Sequence, residues 1–285
     1  MIVDMRLRPP LPVWTKKSQF QRPPEFYARH QFTKPASAQA QSMELLFKEM
    51  DEAGIELGVM MGRQSAEPSG VIPNDDIAEG LAKFPERFVA FAGLDLARPM
   101  DWCIEEMRRV AKIAGFRGIS IEPTASRDPT LRRPDERRLY PIYEECARLE
   151  LPINITMSGV LQGQLGRPYA DSNPISLYQV AKDFPKLQIH VAHGAFPWIM
   201  EMIGVAFVCH NVWLSADEYL VKQIPGASEY FKAANNYLPD RTLFGSSYPT
   251  RPIDGMVRAY LEWDWSAATR PKVMRENALR LMRLK

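Results

Sequence analysis

Histidine and cysteine, the side chains that most often build metal centres and nucleophile sites, are scarce in this chain: four and three, respectively, in 285 residues. The cysteines, Cys103, Cys146 and Cys209, lie far apart, which excludes a disulfide framework and a clustered zinc site. Net charge is also small, at +2, and the basic stripe that nucleic-acid binding needs is missing. No stretch approaches the roughly 20 apolar residues that cross a bilayer, so no membrane partner is expected. An aspartate and two arginines fall within the first eight residues, unlike a secretory signal, and a cytoplasmic location is expected. No glycine-rich phosphate turn follows the first apolar run, which argues against a doubly wound nucleotide-binding sheet.

What is present is an alternation. Short apolar runs, rich in Val, Ile and Phe, recur at 2–7, 57–61, 88–94, 116–121, 151–157, 187–192, 211–214 and 241–245. Most are apolar throughout, as strands buried on both faces are. Between them lie segments of helical period at 43–52, 76–83, 101–113, 139–149, 174–184, 196–208, 227–238 and 254–263, with a last helix at 271–284. Gly54 is read as a helix stop and Asn74 as an N-cap. Eight strands, each followed by a helix, in one unbroken domain over 1–285 predict an α/β fold, a (β/α)8 TIM barrel. The exception is 11–41, between the first strand and first helix, where Trp14, Phe20, Phe26, Tyr27, His30 and Phe32 stand among prolines. A segment of that length is read as a lid or binding loop.

Chemistry in such a barrel sits at the C-terminal strand ends. The first strand carries Asp4, Arg6 and Arg8 at alternate positions, so they are expected on one face, with Val3, Met5 and Leu7 on the other. The other ends supply Arg63, Gln64, Asp95, Glu122, Thr156, Ser158, His193, Ser215, Asp217, Ser246, Ser247 and Tyr248. His190, three residues before His193, is expected to face the helices. Asp217 either faces the barrel mouth or caps a helix.

The landmarks are collectively specific. Asp4-Met5-Arg6-Leu7-Arg8, the strand 151–156, Ala192-His193-Gly194 with Phe196-Pro197, 243–249 (LFGSSYP) and 276–281 (ENALRL) follow one another in the order found in one family. The chain resembles the amidohydrolase superfamily, in the branch of aminocarboxymuconate-semialdehyde decarboxylase and its lactonase and hydrolase relatives. The resemblance implies a barrel with a metal at its mouth, yet the ligand positions are substituted. Arg6 and Arg8 stand where the family has two histidines, Thr156 where it has a third, and Ser247 where it has an aspartate; only His193 matches. A guanidinium stays protonated and cannot ligate zinc, and two of them repel a divalent cation. No metal and no cofactor are therefore expected.

Arginines in place of a metal provide fixed charge and directed hydrogen bonds for a carboxylate or an oxyanion. The expected site has His193 and Glu122 as catalytic acid or base, and Arg6, Arg8, Arg63, Thr156, Ser247 and Tyr248 around a small-molecule carboxylate. The bland alternative is that Asp4 and Glu122 simply neutralise the arginines. The expected function is a metal-independent hydrolase acting on a lactone, ester or amide. Two alternatives stand beside it: a lyase (decarboxylase or hydratase), and a non-catalytic barrel that binds a ligand or supports a partner subunit. The aromatic content of 11–41 and the resemblance point to a homodimer.

Overall fold

The computed structural model describes residues 1–67 and 69–285. Seven parallel strands pair in chain order: β1 (Ile2–Leu7), β2 (Ile55–Met61), β3 (Phe88–Gly93), β4 (Phe116–Ile121), β5 (Ile153–Thr156), β6 (Ile189–Ala192) and β7 (Val212–Ser215). Helices such as Met43–Ala53, Asn74–Lys83, Met100–Val110 and Ile199–Val208 return the chain between strands. The arrangement is the expected α/β TIM barrel. Ser42 caps the first long helix by accepting from Leu45 N (3.2 Å), and Gly54 ends it in the left-handed conformation, φ +75°.

The eighth expected strand is not a regular strand, although it occupies the eighth place. Its backbone bonds β7 through Leu243 N to Leu214 O (2.9 Å), and it bonds β1 through Met5 N to Phe244 O (3.0 Å) and Arg8 N to Tyr248 O (3.1 Å). The ladder is interrupted because the Asp4 carboxylate takes the Ser246 amide (2.9 Å) and the Val273 carbonyl takes that of Phe244 (3.0 Å). Val273 lies in a π-turn, Lys272–Glu276, that breaks the expected last helix.

Three further expectations need correction. Asp4 pairs with Gly58 but Leu7 with Met60, so β1 carries one extra residue between them. Because of this bulge the alternation does not persist. Val3 and Met5 pack with Val59, Phe91 and Trp213, whereas Leu7 joins the other core cluster with Leu46 and Met50, so the three apolar residues do not share one face. Asn74 is not an N-cap: it opens the helix after Pro73, and its amide ties the Gly93 backbone (3.0 Å each way) to Glu106 (2.7 Å). His190 faces the barrel interior, in register with Asn154. Strand β6 ends at Ala192, so alternation cannot be counted on to His193.

The segment 11–41 is not structureless. It contains short helices at Pro12–Thr15, Pro24–Ala28 and Ala36–Ala40, with Trp14, Phe20 and Tyr27 buried and Tyr27 Oη donating to Pro249 O (2.8 Å). Among the described residues no helix is long and apolar enough to cross a membrane.

Candidate active site

The strand ends converge on a cluster of buried charge. Glu122, just past β4, accepts from Arg63 Nε (3.0 Å) and Nη2 (2.9 Å) and from Ser65 Oγ, with Arg6 Nη2 at 3.9 Å. Burial alone would push its carboxyl up, but Arg63, Arg6 and Arg8 outweigh it and hold the pKa at about 2. Glu122 is thus an ionised counter-charge that does not exchange protons near neutrality. It contributes stability above its ordinary value of 4.5, and loses it as pH falls toward about 2. Arg63→Met leaves this charge with the Ser65 hydroxyl and the more distant Arg6 and Arg8, without its bidentate partner. We expect a loss of about 3 kcal/mol in urea unfolding, with the acid-side fall in stability moved to higher pH. A variant as stable as the parent would contradict that pairing.

Arg6 is fully buried. Its Nη atoms lie 3.4 and 3.5 Å from Thr156 Oγ1 and its Nε 3.7 Å from Asp217 Oδ2. A polar layer, Ser120, Asn154 and His190, supports it: Asn154 Nδ2 donates to Ser120 Oγ (3.0 Å) and Thr156 Oγ1 (3.3 Å), and His190 Nε2 meets Ser215 Oγ (2.7 Å).

Asp217 sits at the centre. Its Oδ2 accepts the His193 amide (2.9 Å) and lies 3.2 Å from His193 Nδ1. Burial pushes its pKa up to about 7, against the opposing pull of Arg6, Ser215 and the His193 amide. Burial, then Arg6, Arg8 and Arg63, hold His193 well below the ordinary histidine value, so its imidazole is neutral. With Nδ1 buried against Asp217, Nε2 is left toward the cavity that His193 lines. A side chain on Gly245 would run into Asp217 Oδ1, which explains the glycine in the 243–249 motif. His193, Asp217 and Ser247 all have positive φ (64°, 50° and 61°), a conformation that costs non-glycine residues about 1–3 kcal/mol each and clusters at functional sites.

Above this cluster a cavity of about 380 Å³ opens, within the usual size range of small-molecule sites. Arg8, Arg63, His193 and Ser247 form its floor, and Ser18, Gln19, Arg22, Phe26 and His30 of 11–41 form a wall, so that segment covers the barrel mouth. Arg8 is 4% exposed, its Nε and Nη2 have no hydrogen-bond partner among the described residues, and its Cζ lies 5.6 Å from the centroid of the Trp14 ring. Burial, then the charges of Arg63 and Arg6, pull its pKa well down, with Glu122 and Asp217 opposing. The floor is short of negative charge.

The residues do not fit the family's divalent metal. Arg6 and Arg8 occupy the strand end, His193 Nδ1 is turned to Asp217, and among the described residues no group of three His, Cys, Asp or Glu side chains converges on one point. Of the expected site residues, Arg6, Arg8, Arg63, Glu122, Thr156, His193 and Ser247 come together. Tyr248 does not: its hydroxyl turns outward to Ser37 Oγ (2.7 Å), which in turn donates to Glu49 (2.5 Å). Asp217 gains a central place that its helix-capping alternative would not give. Its position two residues past β7 is the signal that a strand-end reading undervalues; the left-handed turn at Asp217 is seen in the structure alone.

Comparison with known proteins agrees with this frame. The family described as Amidohydrolase matches residues 3–284. A TIM-barrel protein from Bordetella bronchiseptica, described as uncharacterised, is 33% identical with a TM-score of 0.90, covering 99% of this chain and 98% of its own. The 2,6-dihydroxybenzoate decarboxylase from Rhizobium superposes with a TM-score of 0.72 at 21% identity, over 99% and 98% of the two chains, a likeness of fold. A 2-keto-4-carboxy-3-hexenedioate hydratase of Sphingobium sp. is 29% identical over 146 residues. That match spans 47% of this chain and 43% of the hydratase, less than half the relative's length.

Proposed function

We propose that this chain, which belongs to the amidohydrolase family, is a metal-independent lyase that hydrates or dehydrates a small carboxylated substrate. The observation that carries the reading is the Arg8 guanidinium, which lines the cavity floor with His193, forms no salt bridge among the described residues, and has two buried donors without a hydrogen-bond partner there. A buried unsatisfied cation is costly, and a substrate carboxylate supplies the missing partner.

In the dehydration direction, neutral His193 takes the proton from the carbon next to the carboxylate. The C–H electron pair moves into the carboxyl group, whose added charge Arg8 and Arg63 stabilise. The pair then returns to form the C=C bond as the neighbouring C–OH bond breaks. The imidazolium gives its proton to the departing oxygen, so water leaves and His193 is neutral again. Asp217 orients the ring and stabilises its charged form.

Two considerations favour a lyase over the hydrolase expected from sequence. The relatives with named activities are a hydratase and a decarboxylase. Loss of CO2 from a carboxylate bound by Arg8 would require giving up the charge that binds it, so water addition or elimination suits the floor better. Hydrolysis of a lactone, ester or amide is the second reading, supported by the His193–Asp217 pair, whose orientation also suits activation of water. A decayed, non-catalytic barrel has no use for left-handed His193, Asp217 and Ser247 around an unpaired Arg8.

The test is proton exchange in D2O with small 3-hydroxy and 2,3-unsaturated acids, followed by NMR. Because His193 is held neutral, the ionisation of Asp217 controls the pair. Exchange should rise as pH rises through about 7, persist in chelator, and lose this pH step in Asp217→Asn. The sign for stability is opposite. Asp217's raised pKa contributes stability below its ordinary 3.8 that is lost as pH rises toward about 7. Exchange that depends on added metal, or no exchange with any acid, would contradict the proposal.

A further inference from the structure

The cations around the cavity fall into two sets. Arg8 and Arg63 belong to the barrel floor, where the charges acting on Arg8 are Arg63, Arg6, Glu122 and Asp217. Arg22 and Arg251 belong to the outer wall: both guanidinium groups stack on Phe26, at 4.7 and 5.5 Å from its centroid, and both act on Tyr27. Within the outer set only one charge is neutralised. Arg251 is buried and pairs with Glu218 at 3.0 Å, the one carboxylate that lines the cavity. Arg22 lines the same cavity, pairs with no carboxylate among the described residues, and has a buried Nε without a hydrogen-bond partner. The Lys34 ammonium holds the Arg22 carbonyl (3.0 Å) and the Phe20 carbonyl (3.1 Å), which fixes the backbone from which Arg22 reaches in.

The same lining carries an apolar group, Phe196 stacked on Tyr219 at 4.2 Å together with Leu161 and Leu165, among hydroxyl and amide side chains. A ligand that satisfies the cavity therefore has an anionic group at each end and a flat or apolar body between. We infer that the substrate is a dicarboxylate, bound lengthwise with one carboxylate on Arg8 at the floor and the second on Arg22 of the segment covering the mouth. Arg22 is thereby a specificity residue for the second carboxylate, placed away from the reacting carbon. The same contact ties 11–41 to the bound ligand.

This inference rests on the floor reading given under Proposed function, and the experiment separates the two. Binding of benzoate and butyrate is compared with that of benzene-1,3-dicarboxylate, benzene-1,4-dicarboxylate and glutarate by calorimetry, on the full chain and on Arg22→Gln, Arg22→Lys and Arg8→Met. The parent should prefer at least one diacid over its monoacid by about tenfold or more, the factor that one charge-assisted hydrogen bond sustains. Arg22→Gln should bring that ratio close to one with monoacid binding unchanged, Arg22→Lys should keep part of it, and Arg8→Met should lose both classes. Monoacids and diacids that bind the parent equally, both lost in Arg8→Met, would overturn the second subsite and leave the floor intact. No binding of any acid to the parent would overturn the floor reading and the inference with it.

Discussion

Replacing His193 by alanine is expected to lower turnover by about 10²–10⁴-fold, the usual contribution of a positioned acid–base group, while acid binding changes little. The expectation comes from a division of labour in the structure. In the proposed reaction charge sits on the arginines, and the neutral His193 imidazole, which lines the same cavity, handles the proton. His193 Nδ1 lies 3.2 Å from Asp217 Oδ2, and the His193 amide holds the same carboxylate oxygen at 2.9 Å. The backbone bond holds the carboxylate in place beside the ring, where it faces Nδ1 without a hydrogen bond of good geometry. His193→Gln, which keeps a polar side chain without a titrating ring, should be as inactive as His193→Ala. Asp217→Asn should be less severe in rate and should abolish the step near pH 7, because the imidazole survives but loses its anionic partner. Steady-state kinetics on the acid that shows exchange decides this. A His193→Ala enzyme with activity within tenfold of the parent would move the proton chemistry elsewhere.

The second large effect is expected at Arg8, and it has an unusual sign. Arg8→Met should abolish acid binding and activity, by about 10²-fold or more, and should also make the free protein more stable. A buried donor without a partner costs about 1–3 kcal/mol, and Arg8 leaves Nε and Nη2 in that state beside two further cations. Methionine fills similar space against Trp14 without this cost. A gain in stability coupled to a loss of function is the signature of a residue retained for what it binds. Arg63→Met is the contrast, because Arg63 holds Glu122 through two hydrogen bonds and its loss should destabilise the fold. The pair of variants separates the guanidinium held for a ligand from the one held by the protein.

The barrel was legible because its strands are continuous apolar runs and its helices carry a regular period, which local sequence expresses directly. The closing segment was not, because side-chain and turn contacts interrupt its ladder: Asp4 captures the Ser246 amide from more than two hundred residues away. The same distance problem hid the bulge in β1. Alternation predicts that Asp4, Arg6 and Arg8 share a face, and only the pairing with β2 shows the extra residue. At the site, residue types and strand ends brought together the arginines, Glu122, Thr156, His193 and Ser247. What they could not supply was orientation. Tyr248 stands next to Ser247 yet turns to Ser37, Glu122 is committed to Arg63, and Asp217 becomes the partner of His193 through a left-handed turn that nothing in Ser215-Ala216-Asp217 announces.

The central claim is that the unpaired floor arginine takes a substrate carboxylate where relatives of this family carry a metal. Thermal or urea unfolding of the parent and of Arg8→Met across increasing concentrations of one small carboxylic acid tests it most directly. A bound acid stabilises by RT ln(1 + [L]/Kd), about 2.7 kcal/mol at a hundred times Kd. The parent should gain stability with the logarithm of acid concentration, while Arg8→Met starts higher and stays flat. Parallel gains in both proteins, or a parent that does not respond to any acid, would contradict it.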